Sequence, residues 1–295
     1  MNKTVLPIAN PMPVNPETFL KLTWIEQGLY EIPEELYHPG PGLSIHGLKE
    51  FSKSPAHYIT SLEEEGKRTD ALDFGSALHA YAFTPTDFYI RFEIIADTKR
   101  RTPQVKEEAA ENNMILIRQR DFDKIRWMVD AVYLVPDAPK LADGPSLSEV
   151  SGYWQDPEHL DVLSRMRIDY YNIGLRTIVD LKSCVDSFKY EFSKSILNYN
   201  YYWQAAYYLF GMGQITNIPH EHFIFIAVEK EKPFQVHLYK ADQEMIVEAI
   251  GEYRPLIEKY AECKTFNTWP KADGSLQEIS LPGFKKRRRD MMLIN

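Results

Sequence analysis

Hydrophobic and polar residues alternate in three consecutive stretches near the middle of the chain. The stretches are "LSEVSGYWQ", "MRIDYYN" and "LRTIVDLKSC". This alternation is typical of strands that turn one face toward a core. Asn172, Ile173 and Gly174 lie between the second and third stretches and suit a tight turn. We therefore expect three antiparallel strands, followed by two more in "HFIFIAVEK" and "FQVHLYKA".

Apolar residues at helical spacing occur on both sides of these strands. The pattern predicts two short helices in "LSIHGLKEFSKSPAHYITSLEEE", one in "DALDFGSALHAYAF", one at residues 104–113 and one in "DFDKIRWMVDAVYLV", with "MILI" as a short strand. A long helix is expected at roughly residues 188–211, and a last helix in "DQEMIVEAIGEYRPLIEKYAECK", kinked at Pro255. This order of elements predicts a single α/β or α+β domain around a central sheet.

Composition divides the chain into three parts. Residues 1–43 are proline-rich and predict an irregular arm with at most one short helix around residues 17–28. Residues 44–265 carry the periodic pattern and predict the folded domain. Residues 266–295 predict a tail with the basic run Lys285–Arg289, which is either solvated or in contact with DNA.

The overall composition is that of an ordinary water-soluble protein, with 44% hydrophobic and 26% charged residues in 295. No apolar run approaches the roughly 20 residues that span a bilayer, and the N-terminus lacks the pattern of a secretory signal. Cys184 and Cys263 are too few for a disulfide framework or a four-cysteine metal site. We expect a cytoplasmic protein with no membrane partner. The net charge of −8 argues against generic binding to nucleic acid but leaves room for a local basic path.

Three charged residues interrupt the apolar strands around the predicted turn. Asp180 and Lys182 share one face of their strand because side chains alternate, and the turn brings Asp169 alongside Asp180. Two adjacent carboxylates raise each other's pKa unless a cation compensates, and magnesium prefers such oxygen ligands. The pattern therefore predicts a magnesium site, with an ordinary cross-strand salt bridge as the alternative.

Two predicted helices present further polar groups. Gly75 and Ser76 are small residues one turn before His79, so they leave room around its ring. Gln204 and Tyr208 share one face of the long helix because they are four residues apart.

Taken together, these residues resemble the core of the PD-(D/E)xK nucleases. Asp169, Asp180 and Lys182 match its acidic and lysine positions, while Ile168 replaces the proline of the family's name. Gln204 and Tyr208 match the Q-x-x-x-Y pattern of the RecB-like branch, and His79 matches its upstream histidine. The stretches "YHPGPGLSIHGLKEFSKSPAHYI", "FGSALHAYAFTPTDF" and "RMRIDYYNIGLRTIVDLKS" resemble RecE-type exonucleases of phages and prophages, over about residues 37–210.

This resemblance implies a restriction-endonuclease-like α/β fold with a central mixed sheet flanked by helices. It also implies magnesium-dependent 5′→3′ digestion of one strand at double-stranded DNA ends, with manganese as a substitute. The remaining 3′ tails would serve recombination through a single-strand annealing protein, and the nuclease would form a ring-shaped trimer or tetramer. Two alternatives are an endonuclease of the same superfamily and a DNA-end-binding protein that does not cut.

The resemblance also implies roles for individual residues. Asp169, Asp180, the Leu181 carbonyl and His79 would be metal ligands, and Lys182 would orient or activate the attacking water.

The roles of several further residues are less closely fixed. Glu149 is either the first acidic motif or a surface glutamate, and Gln204 and Tyr208 either brace the site or pack in the core. Ser76, Arg165 and Arg167 are expected to contact DNA, with pairing to nearby acids as the alternative for the two arginines.

Overall fold

The structure is a computed structural model that describes residues 10–63, 69–99, 102–276 and 278–279. Its helices and strands, in chain order, are β1 (Met12–Pro13), α1 (Pro16–Phe19), β2 (Gly28–Glu31), α2 (Glu34–Tyr37), β3 (Leu43–Ser44), α3 (Ile45–Lys53), α4 (Pro55–Glu63), α5 (Asp70–Phe83), α6 (Pro85–Arg91), β4 (Phe92–Ile95), α7 (Pro103–Glu111), β5 (Ile115–Arg118), α8 (Gln119–Leu134), α9 (Ala138–Ala142), β6 (Ser146–Gln155), β7 (Leu163–Asn172), β8 (Thr177–Cys184), α10 (Lys189–Asn198), α11 (Tyr201–Thr216), β9 (His222–Glu229), β10 (Val236–Lys240) and α12 (Gln243–Phe266).

The main sheet has the strand order β1-β2-β6-β7-β8-β9-β10, with β3 paired to the start of β7. Strands β6, β7 and β8 are antiparallel, β8 and β9 are parallel, and β9 and β10 are antiparallel. The predicted α/β class with a central mixed sheet is therefore confirmed, as are the three antiparallel strands. Within the described ranges, no helix combines the length and apolar composition needed to cross a membrane.

Two hydrophobic cores cover the two faces of the sheet. The first core contains buried residues of α3, α11 and α12, and the second contains buried residues of α5 and α8. Strand β8 serves both cores, because Ile178 lies in the first while Val179 and Leu181 lie in the second. The side chain at the position between Val179 and Leu181 points to the other face of β8, where it packs against the first core.

The described part of the N-terminal arm differs from the irregular segment expected over residues 1–43. Strand β2 pairs antiparallel with β6, and Tyr30 and Ile32 are buried in a third apolar cluster with Tyr153 and Leu163. The buried Leu29, Tyr30 and Ile32 hold this segment on the sheet, and Pro33, which cannot donate a ladder hydrogen bond, follows it. The division of the chain at residues 43 and 265 stays a prediction, and the basic run Lys285–Arg289 lies outside the described residues.

Two other local expectations meet a different backbone. The helix predicted at residues 188–211 is broken into α10 and α11 by Asn200, which has the left-handed φ of 50° that asparagine tolerates. In the turn between β7 and β8, the positive φ is at Arg176, at 49°, rather than at Gly174. Helix α12 contains Pro255 in its interior, and the kink expected there stays a prediction.

Two glycines in helices provide a direct test of the packing of α11 on the sheet. A Cβ atom added at Gly211 would lie 2.7 Å from the ring of Trp154, which is fully buried. We expect Gly211→Ala to lower the free energy of unfolding by about 1–3 kcal/mol, because an overpacked core must shift.

Gly251 in α12 is the matched control. A Cβ atom there meets nothing within 4 Å, so Gly251→Ala should raise the free energy of unfolding by about 0.5–1 kcal/mol through helix propensity. Urea denaturation of both variants measures the two effects. A stabilising Gly211→Ala substitution would contradict the packing described for Trp154.

Candidate active site

Strands β7 and β8 separate at the point where the predicted carboxylates lie. Residues 170–172 of β7 pair with residues 177–179 of β8, and no ladder pair of these strands continues beyond Tyr170 and Val179 in the described register. Instead, the Leu181 N–H donates to Asp169 Oδ2 at 3.1 Å. We call this opening, formed by Asp169, Asp180 and Leu181, the β7–β8 fork. The Asp169 side chain takes the place of a backbone acceptor from β7, so its carboxylate is fixed inside the sheet.

The adjacent strand β6 places Glu149 at the fork through a local change of face. Ser148 pairs with Tyr170 and Val150 with Ile168, so Glu149 lies opposite Asp169. Its φ is 51°, and alternation is interrupted around it because residues 147 and 150 both contact the first core. The sequence pattern predicts strict alternation and therefore misses this feature. Its consequence is that two carboxylates from neighbouring strands face the same helix.

Helix α5 brings His79 to these carboxylates. The buried Ala77, Leu78 and Ala80 fix this helix on the second core, and Gly75 faces open space. His79 Nδ1 lies 3.3 Å from Asp169 Oδ2, and Nε2 lies 2.8 Å from the Leu181 carbonyl oxygen. One ligand atom each from His79, Glu149 and Asp169 lies within 4.8 Å of the others.

Asp180 and Lys182 lie on the opposite face of the fork, toward α11. Gln204 Nε2 donates to Asp180 Oδ1 at 2.6 Å, and Lys182 Nζ lies 2.7 Å from Asp180 Oδ2. The Lys182 ammonium is also 4.8 Å from the centroid of the Tyr201 ring. Burial raises the pKa of Asp180, and the charge of Lys182 offsets this rise only in part. Because its contacts are on the α11 side, Asp180 lies outside the group of His79, Glu149 and Asp169. Its role as a metal ligand stays a prediction.

Burial and neighbouring charges shift the pKa values on the α5 side in opposite directions. Burial lowers the pKa of His79, but Asp169 and Glu149 outweigh it and raise the value to about 9. Burial raises the pKa of Asp169, but the charge of His79 outweighs it, so the net pKa is lowered. Burial raises the pKa of Glu149, and Arg167 offsets this only in part. With no cation bound, the protonated His79 supplies the positive charge that this group of acids requires, and His79 would have to release that proton to bind a metal.

The same group fits a divalent cation. Glu149 Oε2 accepts from Arg167 at 3.0 Å, but Oε1 is buried and has no hydrogen-bond partner among the described residues. Two carboxylates and an imidazole are ligands that divalent metals accept, so His79, Glu149 and Asp169 would hold the ion next to the Leu181 carbonyl. When bound, such a cation lowers the pKa of water and stabilises negative charge on a phosphate.

Arg165 is bonded to the protein's own backbone. The side chain is buried, and its guanidinium donates to the backbone carbonyls of residues 37, 38 and 40. These bonds fix the loop before β3, because three carbonyls in that loop depend on them. The expected DNA contact of Arg165 stays a prediction.

Ser76 and Arg167 are also held by protein groups. Ser76 Oγ donates to Glu34 Oε1 at 3.0 Å, and Arg167 contacts Glu149 and the Ile32 carbonyl. For Arg167, pairing with a nearby acid was the alternative interpretation, and the structure shows that pairing. A DNA contact of Ser76 stays a prediction.

The predicted Gln204 and Tyr208 pair lies on the side of α11 that faces the sheet, and both residues interact with Asp180. Gln204 contacts Asp180, whereas the buried Tyr208 packs near Phe223, with ring centroids 6.4 Å apart. The sequence prediction misses Lys49, whose Nζ lies 5.7 Å from the centroid of the Tyr201 ring. The sequence does contain a signal for this position, because Lys49 lies four residues after Ile45 and therefore at the edge of the apolar face of α3.

A comparison with protein families agrees with this geometry. A family model described as "PDDEXK-like domain of unknown function (DUF3799)" matches residues 44–281. The chain belongs to this family. The predicted PD-(D/E)xK superfamily is thereby confirmed, and this membership together with the fork supports a nuclease that uses a divalent metal.

One solved structure shares the fold of this PDDEXK-like chain at low sequence identity. This crystal structure from Eubacterium rectale, described as a "putative exonuclease", is 13% identical, with a TM-score of 0.57, and the match covers 83% of this chain and 92% of that one. A second structure, SSO0001, is 12% identical and covers 62% of this chain and 86% of that one, with a TM-score of only 0.26. No curated protein matches the chain.

The cation site can be tested without measuring catalysis. We expect magnesium or manganese to raise the melting temperature of the wild-type protein, because a ligand at about 100 times its Kd stabilises the folded state by about 2.7 kcal/mol. Asp169→Asn should abolish most of this shift, since it removes the ligand charge while keeping an acceptor for the Leu181 N–H. Asp130→Asn, on the exposed face of α8, is the control and should respond like the wild type. An unchanged shift in Asp169→Asn would place the cation elsewhere.

Proposed function

We propose that the protein is a magnesium-dependent 5′→3′ exodeoxyribonuclease that degrades one strand of linear double-stranded DNA and leaves 3′ single-stranded tails. The observation that carries this proposal is the β7–β8 fork. It holds Asp169 with His79 and Glu149 on one face, and Asp180 with Lys182 on the other. Asp169, Asp180 and Lys182 are the residues on which the resemblance to the PD-(D/E)xK core rests. Manganese would replace magnesium at the same ligands.

The environment of Lys182 narrows its role in this reaction. Burial lowers the pKa of Lys182, but Asp180 and Asp169 outweigh it and raise the net value. The ammonium is therefore protonated near neutral pH, and Asp180 and Gln204 fix its direction. A fixed ammonium is suited to orient the attacking water and to neutralise charge that develops on the phosphate.

The biological setting is part of the same proposal. We infer that the 3′ tails pass to a single-strand annealing protein during phage-type recombination in the cytoplasm. We also infer a ring-shaped trimer or tetramer that encloses the duplex. The support is the resemblance of three sequence stretches to RecE-type exonucleases, together with a fold shared with a protein described as an exonuclease.

End-labelled DNA tests the activity and its polarity. Linear duplex labelled at either the 5′ or the 3′ end should lose the 5′ label first in magnesium and neither label in EDTA. Lys182→Gln should lower the rate by about 10²–10³-fold, the range expected when one fixed group that stabilises charge in the transition state is removed. Lys194→Gln changes an exposed lysine paired with Glu191 and should leave the rate unchanged.

Each competing function gives a different result in that assay. Nicking of closed circular DNA would establish an endonuclease in place of the proposed exonuclease. Earlier loss of the 3′ label would overturn the polarity. Binding to DNA ends without release of either label would establish a protein that does not cut.

A further inference from the structure

Lys49 on α3 is a half-buried cation that the proposed chemistry does not use. Its Nζ donates to the Tyr199 carbonyl at 2.7 Å, and it forms no ion pair with a carboxylate of any described residue. Burial and the nearby Lys182 ammonium lower the pKa of Lys49 to about 8. The Lys49 and Lys182 ammonium groups repel each other, and no second acid among the described residues compensates for this repulsion. An anionic ligand would offset its energetic cost.

The break between α10 and α11 builds an aromatic surface beside Lys49. The left-handed Asn200 separates Tyr199, the residue that caps the C-terminus of α10, from Tyr201, which begins α11. The two rings stack with centroids 5.5 Å apart and an interplanar angle of 28°. Lys49 and Lys182 both lie within 6 Å of the Tyr201 ring, at 5.7 Å and 4.8 Å. Tyr199 is 61% exposed, so a ring face remains available next to an ammonium group.

The described lining on the other side of the site carries more acidic than basic side chains, which disfavours a phosphate path there. A cleft of about 1200 Å³ reaches Glu149 and Arg167. Among the described residues that line it, the acidic ones are Glu31, Glu34, Glu35, Asp73, Asp87 and Glu149, and the basic ones are Arg91, Lys106 and Arg167. A polyanion is repelled by that lining, whereas small cations are attracted. The strand therefore approaches the fork from the face that carries Lys49 and Lys182.

We propose that Lys49, Tyr199 and Tyr201 form a nucleotide-binding subsite next to the cutting centre, in which Lys49 binds a phosphate of the DNA strand and the Tyr199 ring stacks on a base. This inference rests on the proposed nuclease function and names a part of its substrate site. A charge-assisted contact to phosphate and stacking on an aromatic face are the two elements from which single-stranded DNA sites are built. The phosphate is either an internal phosphodiester next to the scissile bond or a phosphomonoester at the strand end.

Binding of a fluorescent oligonucleotide to the full chain in EDTA tests the subsite without cleavage. Lys49→Gln should weaken binding about 10-fold near 0.1 M salt and reduce the slope of log affinity against log salt by about 1, as expected for one lost phosphate contact. Lys49→Arg should restore both values. Lys53→Gln, one turn along α3 on a lysine paired with Glu50, is the matched control and should bind like the wild type.

The stacking half of the subsite has its own variants. Tyr199→Ala should weaken binding about 5- to 100-fold with an unchanged salt slope, because a stacked base is lost but no charge is removed. Tyr199→Phe keeps the ring and should bind like the wild type. Because the Tyr199 side chain is exposed, these variants keep the proposal testable even if Lys49→Gln does not fold.

The outcomes separate the subsite from the function on which it rests. If the wild type cuts DNA but Lys49→Gln and Tyr199→Ala bind as tightly as it does, the subsite is wrong and the nuclease stands. Equal weakening by Lys49→Gln and Lys53→Gln would also overturn the subsite, since it would show only general attraction. If the wild type neither binds nor cuts DNA, the proposed function fails.

Comparing 5′-phosphorylated with 5′-hydroxyl oligonucleotides identifies the phosphate that Lys49 binds. If Lys49→Gln weakens binding of the 5′-phosphorylated oligonucleotide alone, Lys49 binds the terminal phosphate. If it weakens binding of both oligonucleotides equally, Lys49 binds an internal phosphodiester.

Discussion

The hydrogen bond from the Leu181 N–H to Asp169 is the constraint on which the candidate site depends. A backbone donor inside a sheet must find an acceptor, and at this point a side chain supplies it where the partner strand does not. The strands can then separate without leaving that donor unsatisfied. The separation in turn exposes the Leu181 carbonyl to His79 and holds Asp169 at a fixed depth. The opening in the sheet and the position of its carboxylate thus have one cause.

The two cores explain why the charged side chains at the fork remain in two separate groups instead of forming one salt bridge. Strand β8 is fixed on both faces, by Ile178 toward α11 and by Val179 and Leu181 toward α5. Asp180 and Lys182 are therefore held on one side, and the group around His79 on the other. Buried charges of this kind are costly unless each is paired, and replacement by apolar residues is often neutral or stabilising. Their presence is explained better by chemistry at the fork than by stability.

The sequence predicts the parts of the site that depend on local periodicity. Asp180 and Lys182 share a face because strand side chains alternate, and a turn of few residues brings Asp169 to the level of Asp180, although its carboxylate lies on the other face of the fork. The local sequence does not predict the change of face at Glu149, the break at Asn200 or the carbonyls that hold Arg165. Each of these features lies against an element far away in the chain: α5 beside Glu149, α3 beside the break, and the N-terminal arm beside Arg165. Tertiary contacts of this kind leave no periodic signal.

Family membership fixes the fold, but a shared fold does not determine the substrate. In this chain the groups around the fork differ by side. Acidic side chains line the cleft at Glu149, while Lys49 and Lys182 lie toward α11. A phosphate chain and a divalent cation carry opposite charge, so under the proposed function this arrangement would give each its own approach to one centre. The path of a DNA strand past Lys182 would then depend on residues beyond the fork, and Tyr199 and Tyr201 lie on either side of the helix break at Asn200.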